Sequence, residues 1–255
     1  MDFTIKKYRD LLSILISNKY QFKTFKEFLE DTQINKNIIL RHDVDKLPSN
    51  SLKFAKIQYD LDISGVYYFR AVSQSWNEKI IREISELGHE VGYHYENMDT
   101  CKGNIDKAWD DFRFHLDNLR ELVEVKTICM HGSPLSKFDN KEIWQKFDYK
   151  SLDIIGEPYF DINFNNCFYM TDTGRRWDGW NSSVRDKVAQ QDQWFKKNIT
   201  FHSTDDIIRS IQNDEFPDIV MFNFHPQRWH DSPFQWGEEL IFQNIKNLIK
   251  KYFFA

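Results

Sequence analysis

The stretch Asn37-Ile38-Ile39-Leu40-Arg41-His42-Asp43-Val44-Asp45 joins an apolar run of strand length to a cluster of ionisable side chains. Nothing polar interrupts the apolar run and helical spacing is absent, which predicts a buried strand. Side chains alternate along a strand, so Asp43 and Asp45 are expected on one face and His42 on the other. Two carboxylates this close repel each other unless a cation or a metal ion compensates their charges. A surface turn is the alternative, because Asp is frequent in loops and Lys46-Leu47-Pro48 follows.

The composition is that of a folded protein with a sizeable core. Hydrophobic residues make up 41% of the 255 residues and aromatic residues 16%, which argues against disorder. The formal net charge of -5, together with the lack of a Lys/Arg-rich block, argues against nucleic acid as the main partner. The length suits one large domain, and α/β barrels are typically of this size.

Cysteine usage and hydropathy predict the compartment. Cys101, Cys129 and Cys167 are odd in number and scattered, which is typical of a reducing compartment rather than a disulfide framework. The apolar residues 11–16 form too short a run for a signal peptide, follow several charged residues and precede no small-residue cleavage site. No run approaches the length that crosses a membrane. We therefore expect a cytoplasmic protein without a transmembrane segment.

Strand-like and helical patterns alternate along the chain. Strands are predicted around residues 37–45, 65–69, 89–94, 127–130, 151–155 and 218–224, and helices over 8–28 with a break near Asn18, 48–59, 77–87, 104–122, 141–147, 203–211 and 238–254. Residues 156–200 show no clear pattern. The alternation predicts an α/β fold with a mostly parallel sheet, carried round into a barrel or a doubly wound sheet. We expect a single domain 1–255, with helical cover over 1–36, a core over 37–230 and a C-terminal helix over 231–255.

Four predicted strands end in ionisable residues. These are Asp43 and Asp45, then His94 and Glu96, then His131, then His225. In parallel α/β folds the carboxyl ends of the strands meet at one rim, so these side chains are expected to converge. Carboxylate and imidazole ligands suit a zinc-like divalent ion that keeps one position open for water. A spare carboxylate could then act as general base, and a histidine across the site could protonate a leaving group.

The motifs resemble those of the polysaccharide deacetylases, the NodB-homology group also called carbohydrate esterase family 4. The matching segments are Leu-Arg-His-Asp-Val-Asp (40–45), Gly-His-Glu-Val-Gly-Tyr-His (88–94), a strand ending in His-Gly-Ser-Pro (131–134) and a strand ending in Phe-His-Pro (224–226). The resemblance covers roughly residues 37–230. It implies a distorted (β/α) barrel of mostly parallel strands. It also implies an enzyme that uses a divalent metal to remove N- or O-acetyl groups from sugars. Zinc is the expected metal, with Ni, Co or Mn as alternatives.

The resemblance also implies roles for individual residues. Asp43 matches the catalytic base and His225 the general acid, and the carboxylate that orients the acid is left open among Asp161, Asp172 and Asp178. His94 matches the first of two ligand histidines. Val44 stands at the usual carboxylate-ligand position and Met98 at that of the second histidine. The expected metal ligands are therefore Asp45, His94 and His131, with Glu96 as the alternative to His131.

Substrate contacts are predicted for Arg41, Glu96, Trp177 and Trp229. Tryptophans 76, 177, 180, 229 and 236 offer faces for sugar rings, although burial in the core is the more common fate of this residue. Arg175 and Arg176 could meet the phosphate of a nucleotide or lipid carrier. The expected partner is thus a carbohydrate or a carrier-linked sugar.

The sequence is compatible with three functions. The first is a metal-dependent sugar deacetylase acting on a precursor in surface polysaccharide biosynthesis. The second keeps the barrel and the metal but hydrolyses a different C–N bond, such as that of a cyclic amide. The third is a degenerate member of the family that binds carbohydrate without turnover, for which Val44 and Met98 at two ligand positions are the support.

Overall fold

The computed structural model of the protein describes residues 1–31, 36–133, 136–178 and 185–253, with side chains up to residue 245. Its centre is a seven-stranded sheet in which all paired strands run parallel. The strands are β1 (Gln21–Lys23), β2 (Asn37–Val44), β3 (Val66–Phe69), β4 (Glu90–Tyr95), β5 (Ile128–Met130), β6 (Phe168–Thr171) and β7 (Ile219–Phe224). Their order is β5-β4-β3-β2-β7-β6, and β1 pairs with the first residues of β2.

Helices lie between and around the strands. They are α1 (Ile5–Ser17), α2 (Phe25–Glu30), α3 (Pro48–Asp60), α4 (Glu78–Glu86), α5 (Asn97–Thr100), α6 (Ile105–Arg120), α7 (Pro158–Asp161), α8 (Gln191–Lys196), α9 (Thr204–Gln212) and α10 (Pro233–Phe253). Short 3₁₀ helices cover Asn140–Gln145, Tyr149–Leu152 and Pro226–Arg228. Within the described part of the chain, none of these helices combines the length and the apolar character needed to span a bilayer.

The predicted fold class is confirmed, because the parallel sheet curls into a distorted, incomplete (β/α) barrel. Strands β2, β3 and β6 are buried along their whole length, as expected for parallel strands covered on both faces. Alternation divides β2 between two apolar clusters, with Ile38 and Leu40 in the larger cluster and Ile39 in the smaller one. Asp43 therefore shares a face with Ile39, and His42 points to the opposite face.

Local capping signals place several helices where the sequence predicts them. The side chain of Asn77 accepts a hydrogen bond from the backbone of Ile80 at the start of α4. Ser203 and Asp206 form a reciprocal capping box at the start of α9, which satisfies two backbone N–H groups that the helix leaves unpaired. Gly88 follows α4 with a φ of +86°, a conformation that glycine adopts without strain.

The structure corrects two predicted elements and adds three in the segment for which none is predicted. The helical cover over 8–28 is divided by β1, in which Gln21 is exposed, Phe22 and Lys23 are half-buried, and no apolar run marks the strand. The strand predicted around 151–155 is wrong: the 3₁₀ helix Tyr149–Leu152 ends at Asp153 in the left-handed region, and only Gly156 bridges to Thr127. The unpatterned segment contains α7, β6 and α8, each of which is at most six residues long and too short to show a periodicity.

Candidate active site

Asp43 lies at the end of β2 in a buried ion pair with Arg41. Its Oδ1 accepts from Arg41 Nε at 2.8 Å, and its Oδ2 accepts from Arg41 Nη2 at 2.7 Å and from Asn223 Nδ2 at 3.0 Å. The pairing is possible because residues two apart on a strand share a face. Burial raises the pKa of Asp43, but Arg41, with His94 and His225, lowers it to about 2. Asp43 is therefore a carboxylate in a fixed orientation at neutral pH.

His94 and His131 point their Nε2 atoms toward one oxygen of Asp45. Nε2 of His94 lies 3.7 Å from Asp45 Oδ1, and Nε2 of His131 lies 3.5 Å from the same atom. The other ring nitrogens are held from behind, since Nδ1 of His94 lies 2.9 Å from the carbonyl of Cys129 and Nδ1 of His131 lies 2.9 Å from Glu96. A carbonyl only accepts, so Nδ1 of His94 carries the proton and Nε2 keeps its lone pair.

These three residues offer donors of the kind that bind a divalent metal ion. Burial lowers the pKa of His94 to about 4, so that its ring is neutral and able to bind a metal. Asp45 Oδ1 is buried without a hydrogen-bond partner, whereas Oδ2 accepts from Gln227 at 3.1 Å. The gaps of 3.5 and 3.7 Å are long for hydrogen bonds. They are close to the spacing of about 3.4 Å between two ligands of a tetrahedral zinc ion.

A second group of donors overlaps the first. Among the residues that the structure describes, Asp43, His94 and Cys129 are the one group of three His, Cys, Asp or Glu side chains whose potential ligand atoms all lie within 4.8 Å of one another. Asp43, however, already accepts three hydrogen bonds, two of them from the buried Arg41. Burial also raises the pKa of the Cys129 thiol well above its usual value, which disfavours the thiolate that binds metals. The unpaired oxygen of Asp45 and these features of Asp43 and Cys129 favour the first group on chemistry, whereas the distances among the ligand atoms favour the second.

His225 directly follows β7, and a buried carboxylate fixes its ring. Its Nδ1 lies 2.6 Å from Asp172 Oδ1, and its backbone N–H donates to Asp172 Oδ2 at 2.9 Å. Trp229 and Arg228 donate to the same carboxylate at 2.6 and 3.0 Å. The Nε2 atom faces the other half of the site, 4.0 Å from an oxygen of both Asp43 and Asp45.

The surroundings of His225 favour its protonated form. Burial and the charge of Arg228 lower its pKa, but Asp172 and Asp45 raise it further than these lower it, so the net shift is upward. Of the three carboxylates that the sequence left open, Asp172 is the one that contacts this ring. Asp161 accepts from Tyr149, and Asp178 accepts from Arg176.

The structure corrects the two tryptophans predicted to bind substrate. Trp177 is 4% exposed and Trp229 is fully buried, so neither presents a face to a sugar ring. Their indole N–H groups donate to Thr204 and Asp172 within the fold, and both rings pack against Phe3 and Phe224. Trp180, also considered, lies outside the described residues.

The other predicted substrate contacts are also occupied within the fold. Arg41 is 1% exposed, and its fork faces Asp43. Glu96 accepts from Arg70 and lies against His131. Arg175 donates to the carbonyl of Trp236 and stacks on its ring, while Arg176 pairs with Asp178. These side chains therefore support the site or the fold from behind.

Two residues of the site, Asp186 and Asn223, have no part in the sequence prediction. Asn223 donates to Asp43 at 3.0 Å and to Asp186 at 3.2 Å, and so links the two carboxylates. Asp186 also accepts from Tyr159 at 3.2 Å, and from Tyr169. Asn223 is the one polar residue in the otherwise apolar β7, and this could have marked it as a site residue in the sequence. Asp186 lies in a segment without pattern, so no such signal marks it.

Comparisons with known proteins give matches among solved structures alone. No protein-family model matches the chain, and no curated protein matches it. A CE4 family pseudoenzyme from Bacillus anthracis is 13% identical over 84% of this chain and 61% of its own, with a TM-score of 0.44. A family 4 carbohydrate esterase from Bacillus anthracis is 13% identical over 100% of this chain and 92% of its own, with a TM-score of 0.44.

PdaA of Bacillus subtilis, a family 4 carbohydrate esterase, is 11% identical over 93% of this chain and 84% of its own, with a TM-score of 0.39. Of these three solved structures, one is described as a pseudoenzyme and two as carbohydrate esterases.

Proposed function

We propose that the protein is a metal-dependent hydrolase that removes an acetyl group from an N-acetyl or O-acetyl sugar. The observation that carries the proposal is the convergence of two carboxylates and three histidines at the strand ends. His94 Nε2 lies 3.7 Å from both Asp43 and Asp45, and His225 Nε2 lies 4.0 Å from both. A base, a set of metal donors and an acid are the groups that metal-assisted hydrolysis of an amide or ester requires.

Asp45, His94 and His131 would hold the divalent ion, with zinc first and Ni, Co or Mn as alternatives. When bound, such an ion supplies Lewis acidity to a carbonyl oxygen and makes water more acidic. The neutral His94 and the unpaired Oδ1 of Asp45 are the features that suit it.

Asp43 is assigned as the general base. It accepts the proton of the water that attacks the acetyl carbon, and its fork with Arg41 keeps the carboxylate aimed while that proton moves. The same pairing stabilises the charged form, so Asp43 is a carboxylate before each turnover. Asn223 holds the second oxygen and restricts rotation of the group.

His225 is assigned as the general acid. The upward shift of its pKa favours the protonated ring, and that proton goes to the departing nitrogen, or to the oxygen of an ester. The C–N or C–O bond then breaks to give acetate and the free amine or alcohol. Asp172, 2.6 Å from Nδ1, stabilises the imidazolium and fixes which nitrogen faces the substrate.

The sequence motifs support an acetylated carbohydrate or carrier-linked sugar as substrate, used in surface polysaccharide biosynthesis. The three cysteines are all free thiols, which supports action in the reducing cytoplasm. In this proposal the protein modifies a precursor, because the finished polymer lies outside that compartment.

The test begins with the metal content of protein purified without a chelator or a histidine tag, measured by plasma mass spectrometry. We expect about one equivalent of a divalent transition metal per chain, as one three-ligand site requires. Release of acetate from N-acetyl and O-acetyl sugars is then measured beside hydrolysis of cyclic ureides. Turnover of ureides alone would move the assignment to a different C–N bond. Sugar binding without metal uptake and without acetate release would identify a carbohydrate-binding protein instead.

A further inference from the structure

Four polar residues each occupy the first position after one of four neighbouring strands. Asp45 follows β2, Arg70 follows β3, Glu96 follows β4 and His131 follows β5. The last ladder pairs are Val44 with Phe69, Phe69 with Tyr93, and Tyr95 with Met130. Since the four strands are adjacent in the order β5-β4-β3-β2, the four residues form a row along the end of the sheet, in which Glu96 lies two residues beyond the position opposite Arg70.

Arg70 makes contacts in both directions along this row. Its Nη2 donates to the two oxygens of Glu96 at 2.9 and 2.7 Å, and its Nε donates to Oε1 at 3.1 Å. Its Nη1 donates to the backbone carbonyl of Asp45 at 3.3 Å. Glu96 in turn lies 2.9 Å from Nδ1 of His131. One guanidinium therefore connects the backbone of one proposed metal ligand to the side chain of another.

The two ends of the row, Asp45 and His131, approach each other at the proposed metal position. Nε2 of His131 lies 3.5 Å from Asp45 Oδ1, the buried oxygen that has no hydrogen-bond partner. Ser75 fastens the same corner, since its hydroxyl accepts from the backbone N–H of Arg70 and donates to the carbonyl of Val44. Beyond the last ladder pair, side chains thus replace the hydrogen bonds that the sheet no longer provides.

Burial and charge make this arrangement stiff. The side chains of Arg70 and Glu96 are 20% and 11% exposed. A forked guanidinium–carboxylate contact is both strong and directional, so Glu96 cannot turn away from His131 without breaking it.

We propose that Arg70 is a positioning residue that sets the distance and orientation of Asp45 and His131 toward a shared divalent ion. The proposal rests on the proposed function in that both residues bind the same metal. Arg70 itself touches neither the metal nor the substrate. It acts through the carbonyl of Asp45 and the carboxylate of Glu96. Carboxylates behind ligand histidines typically change metal affinity by about 10- to 100-fold.

The experiment is a Co²⁺ titration of metal-free protein, followed by visible absorption and by competition with a chelator of known affinity. The variants are Arg70→Gln, Arg70→Lys and Glu96→Gln. Arg9→Gln is the matched control, because Arg9 pairs with Asp60 on the surface. We expect Arg70→Gln and Glu96→Gln to bind Co²⁺ about 10- to 100-fold more weakly, with altered absorption bands. Arg70→Lys should recover part of the affinity, since it keeps the charge but cannot fork.

The outcomes separate the two levels of the proposal. Failure of the wild-type protein to bind Co²⁺ would refute the proposed metal site and this inference with it. Tight wild-type binding, with unchanged affinity and absorption bands in Arg70→Gln, would refute the positioning role alone. Thermal melting of each metal-free variant shows whether it is folded. Should Arg70→Gln not fold, Arg70→Lys and Glu96→Gln decide the matter, and wild-type affinity in both would overturn the role.

Discussion

Asp172 holds His225 at two points, because Oδ1 lies 2.6 Å from the ring Nδ1 and Oδ2 accepts the backbone N–H at 2.9 Å. The two residues directly follow the adjacent strands β6 and β7, so the sheet itself sets their separation. The contact fixes the ring orientation and raises the pKa of His225 against the effects of burial and of Arg228. A histidine held in this way is suited to donate a proton from Nε2.

The first prediction concerns Asp172→Asn. Removing the carboxylate charge lowers the pKa of His225, since Asp172 is a main cause of its upward shift. A general acid must be protonated, so activity is lost as pH rises through its pKa, and a lower pKa moves this loss to lower pH. We expect the alkaline limb of the kcat/KM profile to shift to lower pH, and activity to fall most at the alkaline end of the profile.

The control for this prediction is Asp161→Asn. Asp161 is bonded to Tyr149 and to the backbone of Glu157 rather than to His225, so its variant should keep the wild-type alkaline limb. An unshifted profile in Asp172→Asn would show that Asp172 does not tune the acid.

The second prediction separates the two possible sets of metal donors. Asp45→Asn removes the unpaired charged oxygen near His94 and His131, and should weaken metal binding by more than about 100-fold, beyond the loss typical of an outer partner. Cys129→Ser should bind metal as tightly as the wild type, because its thiol is buried and protonated. Equilibrium dialysis with Zn²⁺ measures both. Metal loss in Cys129→Ser alone would instead favour the group of Asp43, His94 and Cys129.

Strand ends explain how much of this site can be predicted from sequence. Each of the six strands from β2 to β7 is followed directly by a residue of the site or of its support: Asp45, Arg70, Glu96, His131, Asp172 and His225. A mostly apolar run predicts where a strand ends, and this places His131 and His225 directly after β5 and β7. The α/β class follows from the same alternation of apolar runs and helical periods.

The remaining residues are fixed by tertiary contacts that leave no local pattern. Strand β6 has only four residues in a segment of aromatic and polar side chains, so Asp172 is one of three equal candidates until His225 is placed beside it. In the sequence, nothing distinguishes Arg70 from any other charged residue that follows a strand. Its proposed role depends on its contact with Glu96, which is 26 residues away. Trp177 follows charged residues and looks exposed, yet it joins the core through Phe3 and Trp229.

The third prediction concerns the buried pair of Arg41 and Asp43. Asp43→Asn should reduce turnover by about a hundredfold or more, because the base is lost. It should also lower the free energy of unfolding by about 3 to 5 kcal/mol, since the charge of Arg41 is left buried without its counter-ion. Metal content should be retained if Asp45 is the ligand.

A double variant, Arg41→Met/Asp43→Asn, tests the physical reason. Removing both charges should restore most of the stability measured by urea denaturation, but none of the turnover. Turnover near the wild-type level in Asp43→Asn would rule out the base assignment.

The last prediction concerns Gly92, which lies in β4 directly opposite Tyr68 of β3. A Cβ at this position would come within 2.5 Å of the Tyr68 ring and 2.6 Å of the carbonyl oxygen of Thr127. Neither neighbour can yield easily, because the Tyr68 hydroxyl is bonded to the Thr127 side chain at 3.0 Å. Gly92→Ala should therefore destabilise the fold by about 1 to 3 kcal/mol, as overpacked cores do.

Gly237 in α10 is the matched control, because a Cβ there meets nothing within 4 Å. Gly237→Ala should leave stability unchanged or raise it by up to about 1 kcal/mol, since alanine favours a helix over glycine. Thermal melting of the two variants measures the contrast. His94 follows Gly92 by two residues on the same face of β4. A shift of β4 in Gly92→Ala should therefore displace His94, and this variant should bind Co²⁺ more weakly than the wild type. Equal melting temperatures for the two variants would mean that Tyr68 moves aside at no cost, and would contradict the tight packing beneath the site.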